Sequence, residues 1–291
     1  MTYCVAMRLN AGLVFLSDSR TNAGLDQIST FRKMTVYERP GDRVIVLLSA
    51  GNLAITQAVR QVLQSATIDH DGTPVTIWTA TTMFDVARIV GAAVRTVHDR
   101  DATALKKHGI EFNANLIVGG QIGGETMRLF NVYAAGNFVE AGVDGVCYFQ
   151  IGESKYGKPV IDRVVTPETP LDEAAKCALV SMDSTLKSNL SVGLPLDLLV
   201  YEADSLAVDR LVKIDENNAY FRMIRAAWGR KLREAFDSLP APTWHGEQSE
   251  FPLTLPAAAP ALSNGPGSQM QSSDDGPSPL APIAVVRAPD A

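Results

Sequence analysis

The chain lacks the features that mark several protein classes. It has only three cysteines, Cys4, Cys147 and Cys177, and no C-x-x-C pair, so we expect neither a disulfide framework nor a zinc site. No basic leader followed by an apolar run opens it, and no apolar stretch approaches the roughly 20 residues that cross a bilayer. We therefore expect a cytoplasmic protein with no membrane contact.

An excess of basic residues is also absent. The chain has 26 lysines and arginines against 32 acidic residues, a formal net charge of −6. Binding to nucleic acid needs a concentrated positive surface, so we expect no nucleic-acid partner. Nothing in the sequence calls for a cofactor or a metal ion.

The last 53 residues differ in composition from the rest. Ten of the 16 prolines lie from Pro240 onward, in stretches such as TLPAAAPALSNGPGSQ that have no hydrophobic periodicity. Such segments cannot bury enough apolar surface to offset the entropy of folding. We predict one folded domain over residues 1–238 and a disordered tail rich in Pro, Ala and Ser over residues 239–291.

Within the folded domain, groups of strands alternate with groups of helices. Alternating or apolar β-prone stretches separated by short turns predict hairpins, and a 3.6-residue apolar period predicts helices. The first predicted strands cover 2–9, 13–16, 35–38 and 43–49. One predicted helix begins at Asn52, the second runs from about 82 to 97, and two more begin at 171 and at 219. Antiparallel hairpins between helix groups favour an α+β fold with two packed sheets and helices outside.

Thr2 is the first residue with chemical interest. A threonine directly after Met1 is small enough for the usual aminopeptidase to remove the methionine, which exposes a hydroxyl and an α-amine on one residue. Such a residue supplies both a nucleophile and a base, because the α-amine has a pKa of about 7.7–8.0. Many proteins begin Met-Thr without using the threonine, so the pattern needs support from other residues.

Asp18 and Lys33 could provide that support. An apolar strand ends in Asp18-Ser19-Arg20, and Lys33 follows one turn segment later. A lysine beside the terminal threonine would stabilise the deprotonated hydroxyl and lower the pKa of the amine, and Asp18 would hold that lysine charged. The alternative is an ordinary salt bridge of little consequence.

Gly51 lies where a predicted strand passes into a predicted helix. Backbone N–H groups at such a junction are unpaired and can hold a developing oxyanion, and a glycine lets a substrate carbonyl approach closely. By itself this motif is common.

Together these residues resemble the proteasome family, whose β-type subunits carry the same features in the same order. The segments MTYCVAMRL, FLSDSRTNAG, ISTFRK and IGESKYGKPVIDR are most similar to Anbu, the bacterial branch called the ancestral β-subunit. The resemblance covers about residues 2–236 and implies a four-layer αββα sandwich. It also implies that Thr2 is the nucleophile and that its amine is the general base. Lys33, Asp18 and the Gly51 N–H would then assist it, with Arg20 in a structural role.

The resemblance also points to residues around the α-amine, where this chain departs from the family. A glycine–serine motif corresponds to Gly152 followed by Glu153, and an aspartate–serine pair corresponds to Ser188 and Ser191. Glu153 and Asp183 are candidates for replacing the expected groups. The family's substrate side-chain pocket corresponds to Thr21, Phe31, Thr35 and Ser49.

The leading hypothesis is therefore a threonine-type peptidase or amide hydrolase in a homo-oligomeric ring or spiral, acting on peptides or unfolded polypeptides. Two alternatives remain open. One is an N-terminal nucleophile amidohydrolase that cleaves a small amide. The other is a non-catalytic or weakly active ring that serves as a scaffold or binds peptides.

Overall fold

The computed structural model describes residues 1–22, 28–70, 72–142, 145–242 and 285–287. One large unit consists of Met1–Trp228 together with Ile283–Ala291, and it contains both sheets and the residues of the candidate site. A second unit, Gly229–Pro282, begins inside the last helix.

The described residues mix strands and helices, as an α+β fold requires. The strands are β1 (Tyr3–Leu9), β2 (Gly12–Asp18), β3 (Arg20–Asn22), β4 (Ile28–Thr30), β5 (Met34–Arg39), β6 (Arg43–Gly51), β7 (Ile68–His70), β8 (Thr73–Val75), β9 (Ala114–Ile122), β10 (Arg128–Val132), β11 (Phe138–Glu140), β12 (Tyr148–Gly152), β13 (Leu196–Glu202), β14 (Arg210–Ile214) and β15 (Val285–Arg287). The helices are α1 (Leu53–Leu63), α2 (Met83–Lys107), α3 (Ser154–Val164), α4 (Leu171–Ser188) and α5 (Ala219–Asp237). None of these helices is long and apolar enough to span a bilayer.

Two sheets carry most of the strands. The first has the order β12-β1-β2-β13-β14, and the second has the order β11-β10-β9-β6-β5-β15. Neighbouring strands in both sheets are antiparallel except β5 and β15, which are parallel. The first predicted hairpin is confirmed as β1–β2, and the second as β5–β6.

Side chains alternate along β1 between two apolar clusters. Cys4 and Ala6 belong to a cluster built from both sheets, whereas Tyr3 and Val5 belong to one that also contains residues of α4. A third cluster joins α1 and α2 to the second sheet. Burial on both faces explains why β1 and β2 read as nearly continuous apolar runs.

Helix α1 begins where the sequence predicts it. The Asn52 side chain caps it by accepting a hydrogen bond from the Ala54 N–H at 3.0 Å, and Ile55, Val59 and Leu63 face the core. Because β6 ends at Gly51, only Asn52 separates the strand from the helix.

Two helices differ from the sequence prediction. Helix α2 continues to Lys107, ten residues beyond the predicted end at 97, through a polar stretch with few core contacts. Helix α3 was not predicted, because it has Pro159 inside it and buries only Gly157 and Ile161 of its eleven residues. The internal proline and the small number of buried apolar residues are typical of a loop, so the sequence did not indicate a helix here.

The structure differs from the predicted disordered tail at Val285–Arg287. These residues form β15 and pair with β5, with Val286 opposite Tyr37. Two adjacent valines suit a strand, which the surrounding Pro-rich composition obscured. The tail residues 243–284 and 288–291 lie outside the described residues, and for them disorder stays a prediction.

Candidate active site

The peptide unit between Thr2 and Tyr3 is held at both of its polar groups. The Thr2 carbonyl accepts a hydrogen bond from the Glu153 N–H at 2.8 Å. The Tyr3 N–H donates to Asp18 Oδ1 at 3.0 Å. Since a peptide plane is rigid, these two bonds fix the orientation of Thr2 relative to both β2 and the start of α3.

The Tyr3 side chain also holds the N-terminal segment in place. It is fully buried, its hydroxyl contacts Ser181 of α4, and it accepts a hydrogen bond from Gln150 Nε2 at 2.5 Å. Burial raises the pKa of this phenol, so the hydroxyl stays neutral and acts only as a hydrogen-bonding group. The residue after Thr2 is therefore tied to two other elements.

Gly152 lies against Thr2 so closely that no other residue fits. Its φ is +81°, and a Cβ there would come within 1.9 Å of the Thr2 carbonyl oxygen. β1 and β12 bring the two together, because Tyr3 pairs with Gly152. The predicted supporting glycine thus lies in direct contact with Thr2.

Lys33 and Asp18 form a buried ion pair beside the N-terminal segment. The Lys33 ammonium lies 2.7 Å from each carboxylate oxygen of Asp18 and donates to the Arg20 carbonyl at 2.8 Å. It is 3.5 Å from the carbonyl oxygen of Met1, which belongs to the Met1–Thr2 peptide. Lys33 is 6% exposed and Asp18 is fully buried. Arg20 contributes its backbone to the site.

Burial raises the pKa of the Asp18 carboxyl, and three groups oppose this effect. The Lys33 ammonium lowers this pKa most, and hydrogen bonds from the Tyr3 and Gly193 backbones lower it further. A carboxylate with an ammonium ion and two N–H donors around it has a partner for its charge, which compensates for the lost solvation.

The end of β6 directs a backbone N–H group away from β9. The Asn52 N–H donates to the Asn113 carbonyl at 2.9 Å, so the neighbouring pair, Gly51 and Ala114, is the non-hydrogen-bonded pair of this ladder. The Gly51 N–H therefore points to the other side of β6, towards β5. Because β5 begins at Met34, which pairs with Leu48, it does not extend as far as Gly51. Gly51 itself has φ +115°, and a Cβ would come within 2.4 Å of the Asn113 carbonyl oxygen.

Two cavities flank Thr2. The first has a volume of about 440 Å³, and its lining includes Arg32, Lys33, Ser49 and Arg60. The second has a volume of about 460 Å³, and its lining includes Asn113, Asn115, Gly152 and Glu153. Met1, Thr2, Ala50 and Gly51 line both. We call them the Arg60 cavity and the Glu153 cavity.

The four predicted pocket residues are not all brought together. Ser49 lines the Arg60 cavity, and its hydroxyl donates to the Lys33 carbonyl at 3.3 Å. Thr35 lines a separate cavity of about 330 Å³ with Tyr37 and Arg60. Phe31 is 39% exposed and is not among the described residues that line either cavity at Thr2. Thr21 pairs with Ser29 in the β3–β4 hairpin, and its side chain lies outside the described part of the chain.

The predicted residues around the α-amine are also divided. Glu153 lines its cavity beside Thr2, and its side chain is 17% exposed. Ser188 is exposed at the end of α4, and the Ser191 N–H donates to the Asn189 side chain at 2.9 Å. Asp183 is engaged elsewhere, because it forms an ion pair with Arg225 at 2.9 Å.

Sequence reasoning missed several residues near the site. Asn189 is 8% exposed, and its amide nitrogen lies 4.0 Å from the Met1 sulfur, but no motif marks it. Asp197 accepts from Arg32 at 2.9 Å and from the Ser19 hydroxyl at 3.1 Å. Burial raises the pKa of Asp197, with Arg32 opposing the effect. The sequence feature that could have indicated this buried ion pair is Asp197 itself, a single acidic residue inside the apolar run LDLLV.

Solved structures of Anbu proteins are similar to this chain over most of its length. Anbu (ancestral beta-subunit) from Yersinia bercovieri is 52% identical, with a TM-score of 0.75, covering 83% of this chain and all of that one. Anbu from Hyphomicrobium sp. strain MC1 is 48% identical, with a TM-score of 0.75, covering 83% of this chain and all of the other. The helical assembly of the Anbu complex from Pseudomonas aeruginosa is 46% identical, with a TM-score of 0.76, covering 84% of this chain and 99% of that one. Neither a family model nor a curated protein matches the chain.

Proposed function

This chain belongs to the Anbu family, the bacterial branch of the proteasome-like N-terminal nucleophile hydrolases, and from that premise we propose that it is a threonine-type amide hydrolase whose nucleophile is Thr2. The proposal requires removal of Met1, which otherwise blocks the α-amine of Thr2.

One observation carries this proposal: the Lys33 ammonium, held by Asp18, faces the Met1–Thr2 peptide at 3.5 Å from the Met1 carbonyl oxygen. When Met1 is gone, the Thr2 amine ends the chain at this position. A fixed positive charge there disfavours protonation of the amine and stabilises an ionised hydroxyl. An isolated surface salt bridge would have no reason to be buried against the first peptide of the chain.

The reaction follows from these positions. The Thr2 amine takes the proton of the Thr2 hydroxyl, directly or through one water, while Oγ1 attacks the carbonyl carbon of the substrate. The Gly51 N–H, which faces away from β9, stabilises the oxyanion. The amine then gives its proton to the departing nitrogen, the C–N bond breaks, and an ester on Thr2 remains. Water activated by the same amine hydrolyses that ester and regenerates the threonine.

The surroundings of Thr2 support a long substrate more than a small one. A cavity on each side of the nucleophile allows a chain to pass over Thr2, with its acyl part on one side and its leaving part on the other. Peptides or unfolded polypeptides are therefore the proposed substrates.

The finer features of the fold and assembly are part of the same proposal. Apolar clusters between helices and sheet, between the two sheets, and again between sheet and helices support a four-layer αββα sandwich. The helical assembly described for the Pseudomonas aeruginosa protein supports self-association of this chain into a spiral or ring. Residence in the cytoplasm stays a prediction.

Mass spectrometry of the purified full-length protein tests the mechanism. We expect Thr2 as the first residue. A peptide epoxyketone, which reacts with both a hydroxyl and a neighbouring amine, should add once, at Thr2. Thr2→Ala should abolish the adduct and Thr2→Ser should retain it, whereas Thr166→Ala, at an exposed threonine outside both cavities, should leave it unchanged.

Retention of Met1 in the native protein would exclude the mechanism. A Thr2-terminated protein that assembles and binds peptides but never forms the adduct would support the scaffold alternative. Turnover of small amides without any turnover of peptides would support the amidohydrolase alternative.

A further inference from the structure

We propose that the Arg60 cavity binds an acidic side chain of the substrate, at the residue whose carbonyl Thr2 attacks. This inference rests on the proposed hydrolase function and adds the substrate class. No pattern in the sequence indicated Arg60, which lies in the last turn of α1.

The charged residues that line this cavity are all basic. They are Arg32, Lys33 and Arg60, and no Asp or Glu is among the described residues of the lining. Lys33 is neutralised by Asp18 and Arg32 by Asp197, at 2.7 Å and 2.9 Å. Among the described residues, no carboxylate lies within ion-pair distance of Arg60, whose hydrogen bond goes to the Arg32 backbone carbonyl at 3.3 Å. The cavity therefore retains about one positive charge, and it is on Arg60.

The start of α1 adds to this positive potential. Asn52 and Leu53 line the cavity at the N-terminus of the helix, and the first turn contains no acidic residue to offset the helix dipole. A guanidinium group can bind a carboxylate through two parallel hydrogen bonds, so Arg60 offers geometry as well as charge.

The oxyanion contact decides which substrate residue enters this cavity. The Gly51 N–H faces the side on which β5 and Lys33 lie, and Lys33 and Gly51 both line the Arg60 cavity. When the Gly51 N–H binds the substrate carbonyl, the substrate residue that carries this carbonyl lies on the same side of β6. Its side chain therefore enters the Arg60 cavity. In the opposite cavity the charged side chain among the described lining residues is Glu153, which has the Lys155 ammonium 4.0 Å away, so that cavity offers no excess positive charge to an acidic group.

Peptide amides that differ only at the acyl-side residue test this inference on the full-length protein. The panel has Glu, its neutral isostere Gln, Leu and Lys at that residue, and the readout is kcat/KM. We expect Glu to exceed Gln by about ten- to hundredfold, the range that a hydrogen bond to a charged group contributes. Lys should be the poorest of the four.

Variants of Arg60 assign the preference to that side chain. In Arg60→Met the Glu-to-Gln ratio should fall towards one, and Arg60→Lys should restore part of it because the charge is retained. Arg60→Glu should favour the Lys peptide over the Glu peptide. The control is Arg163→Met, at an exposed helical arginine that also donates to a backbone carbonyl, and it should keep the wild-type ratio.

A binding measurement separates this inference from the hydrolase proposal. In Thr2→Ala, which cannot react, peptides ending in Glu or Gln are titrated by calorimetry, with and without Arg60→Met. Tighter binding of the Glu peptide that depends on Arg60 supports the acidic pocket even when wild-type protein forms no adduct at Thr2. Equal affinities for Glu and Gln peptides, or a Glu preference that survives in Arg60→Met, would overturn it even in an active hydrolase.

Discussion

The Lys33 ammonium lies 2.7 Å from both carboxylate oxygens of Asp18, and neither side chain has appreciable contact with solvent. The two residues are 15 positions apart, at the end of β2 and just before β5. This pair connects the first hairpin of each sheet, and it does so beside the peptide bond that precedes Thr2. A substitution that breaks this pair should therefore affect both the stability of the protein and the surroundings of Thr2.

Breaking this pair on one side should cost more stability than removing it completely. Asp18→Asn or Lys33→Met alone leaves an uncompensated buried charge or a buried group without its partner, and we expect the free energy of unfolding to fall by about 3–5 kcal/mol. The double variant Asp18→Asn/Lys33→Met should recover a large part of that loss. Urea denaturation of the four proteins measures this coupling. Additive losses in the double variant would show that the two side chains stabilise the protein independently.

Gly152→Ala should disturb Thr2 specifically. The new Cβ would come within 1.9 Å of the Thr2 carbonyl oxygen, so β12 or the N-terminal segment has to shift. We expect loss of adduct formation at Thr2 in the folded protein. The matched control is Gly124→Ala, because Gly124 has the same φ of +81° but nothing within 4 Å of its Cβ position.

Gly124→Ala should then lose only about 1–2 kcal/mol from the strained backbone and keep its reactivity at Thr2. Equal effects of the two substitutions on adduct formation would mean that backbone strain, and not contact with Thr2, makes Gly152 necessary.

The cysteines should be poor nucleophiles in the native protein. Burial raises the pKa of Cys177 to about 11, and burial with the nearby Asp18 charge raises the pKa of Cys4. At pH 8 about one Cys177 thiol in a thousand is then ionised, against roughly a quarter for a thiol with a pKa of about 8.5. Maleimide labelling followed by mass spectrometry should be slow in native protein and rapid for three thiols in urea.

The labelling rate of Cys177 should also continue to rise with pH well beyond pH 9, because its thiolate forms only near pH 11. A rate that levels off near pH 8.5 would show that Cys177 becomes exposed to solvent in the native protein.

β15 should protect the outer edge of β5. Its pairing places Val285, Val286 and Arg287 opposite Val36, Tyr37 and Glu38. We expect a chain ending at residue 282 to exchange backbone amide hydrogens of β5 faster than a chain ending at 287. Both should remain folded, since three residues contribute little to the core. Identical exchange in the two truncated chains would mean that β15 does not hold the edge in solution.

Sequence reasoning predicted a good part of the fold and of the candidate site. The hairpins β1–β2 and β5–β6 and the start of α1 are local, because alternation, turn residues and an N-cap are written in consecutive positions. α3 and β15 were missed because one buries two residues and the other lies within a Pro-rich stretch. At the site, four residues could be singled out because each lies at one end of an apolar strand: Thr2 and Lys33 directly precede a strand, and Asp18 and Gly51 end one.

Other relationships depend on contacts that no local pattern encodes. The pairing of Tyr3 with Gly152 joins positions about 150 residues apart, and Asn189 approaches Met1 from the far end of α4. Thr35 was expected beside Ser49, but the two line different cavities.

The sequence by itself thus determined which chemical groups are available at Thr2, since chain order and residue type specify a nucleophile, a lysine, an acid and a flexible backbone step. Only the tertiary structure decided how these groups are arranged. Packing buried Lys33 against Asp18. It also placed Arg60 in the lining of the cavity beside Thr2, where no carboxylate is among the described lining residues. Charge balance in a cavity depends on which distant side chains meet there, and folding alone establishes that.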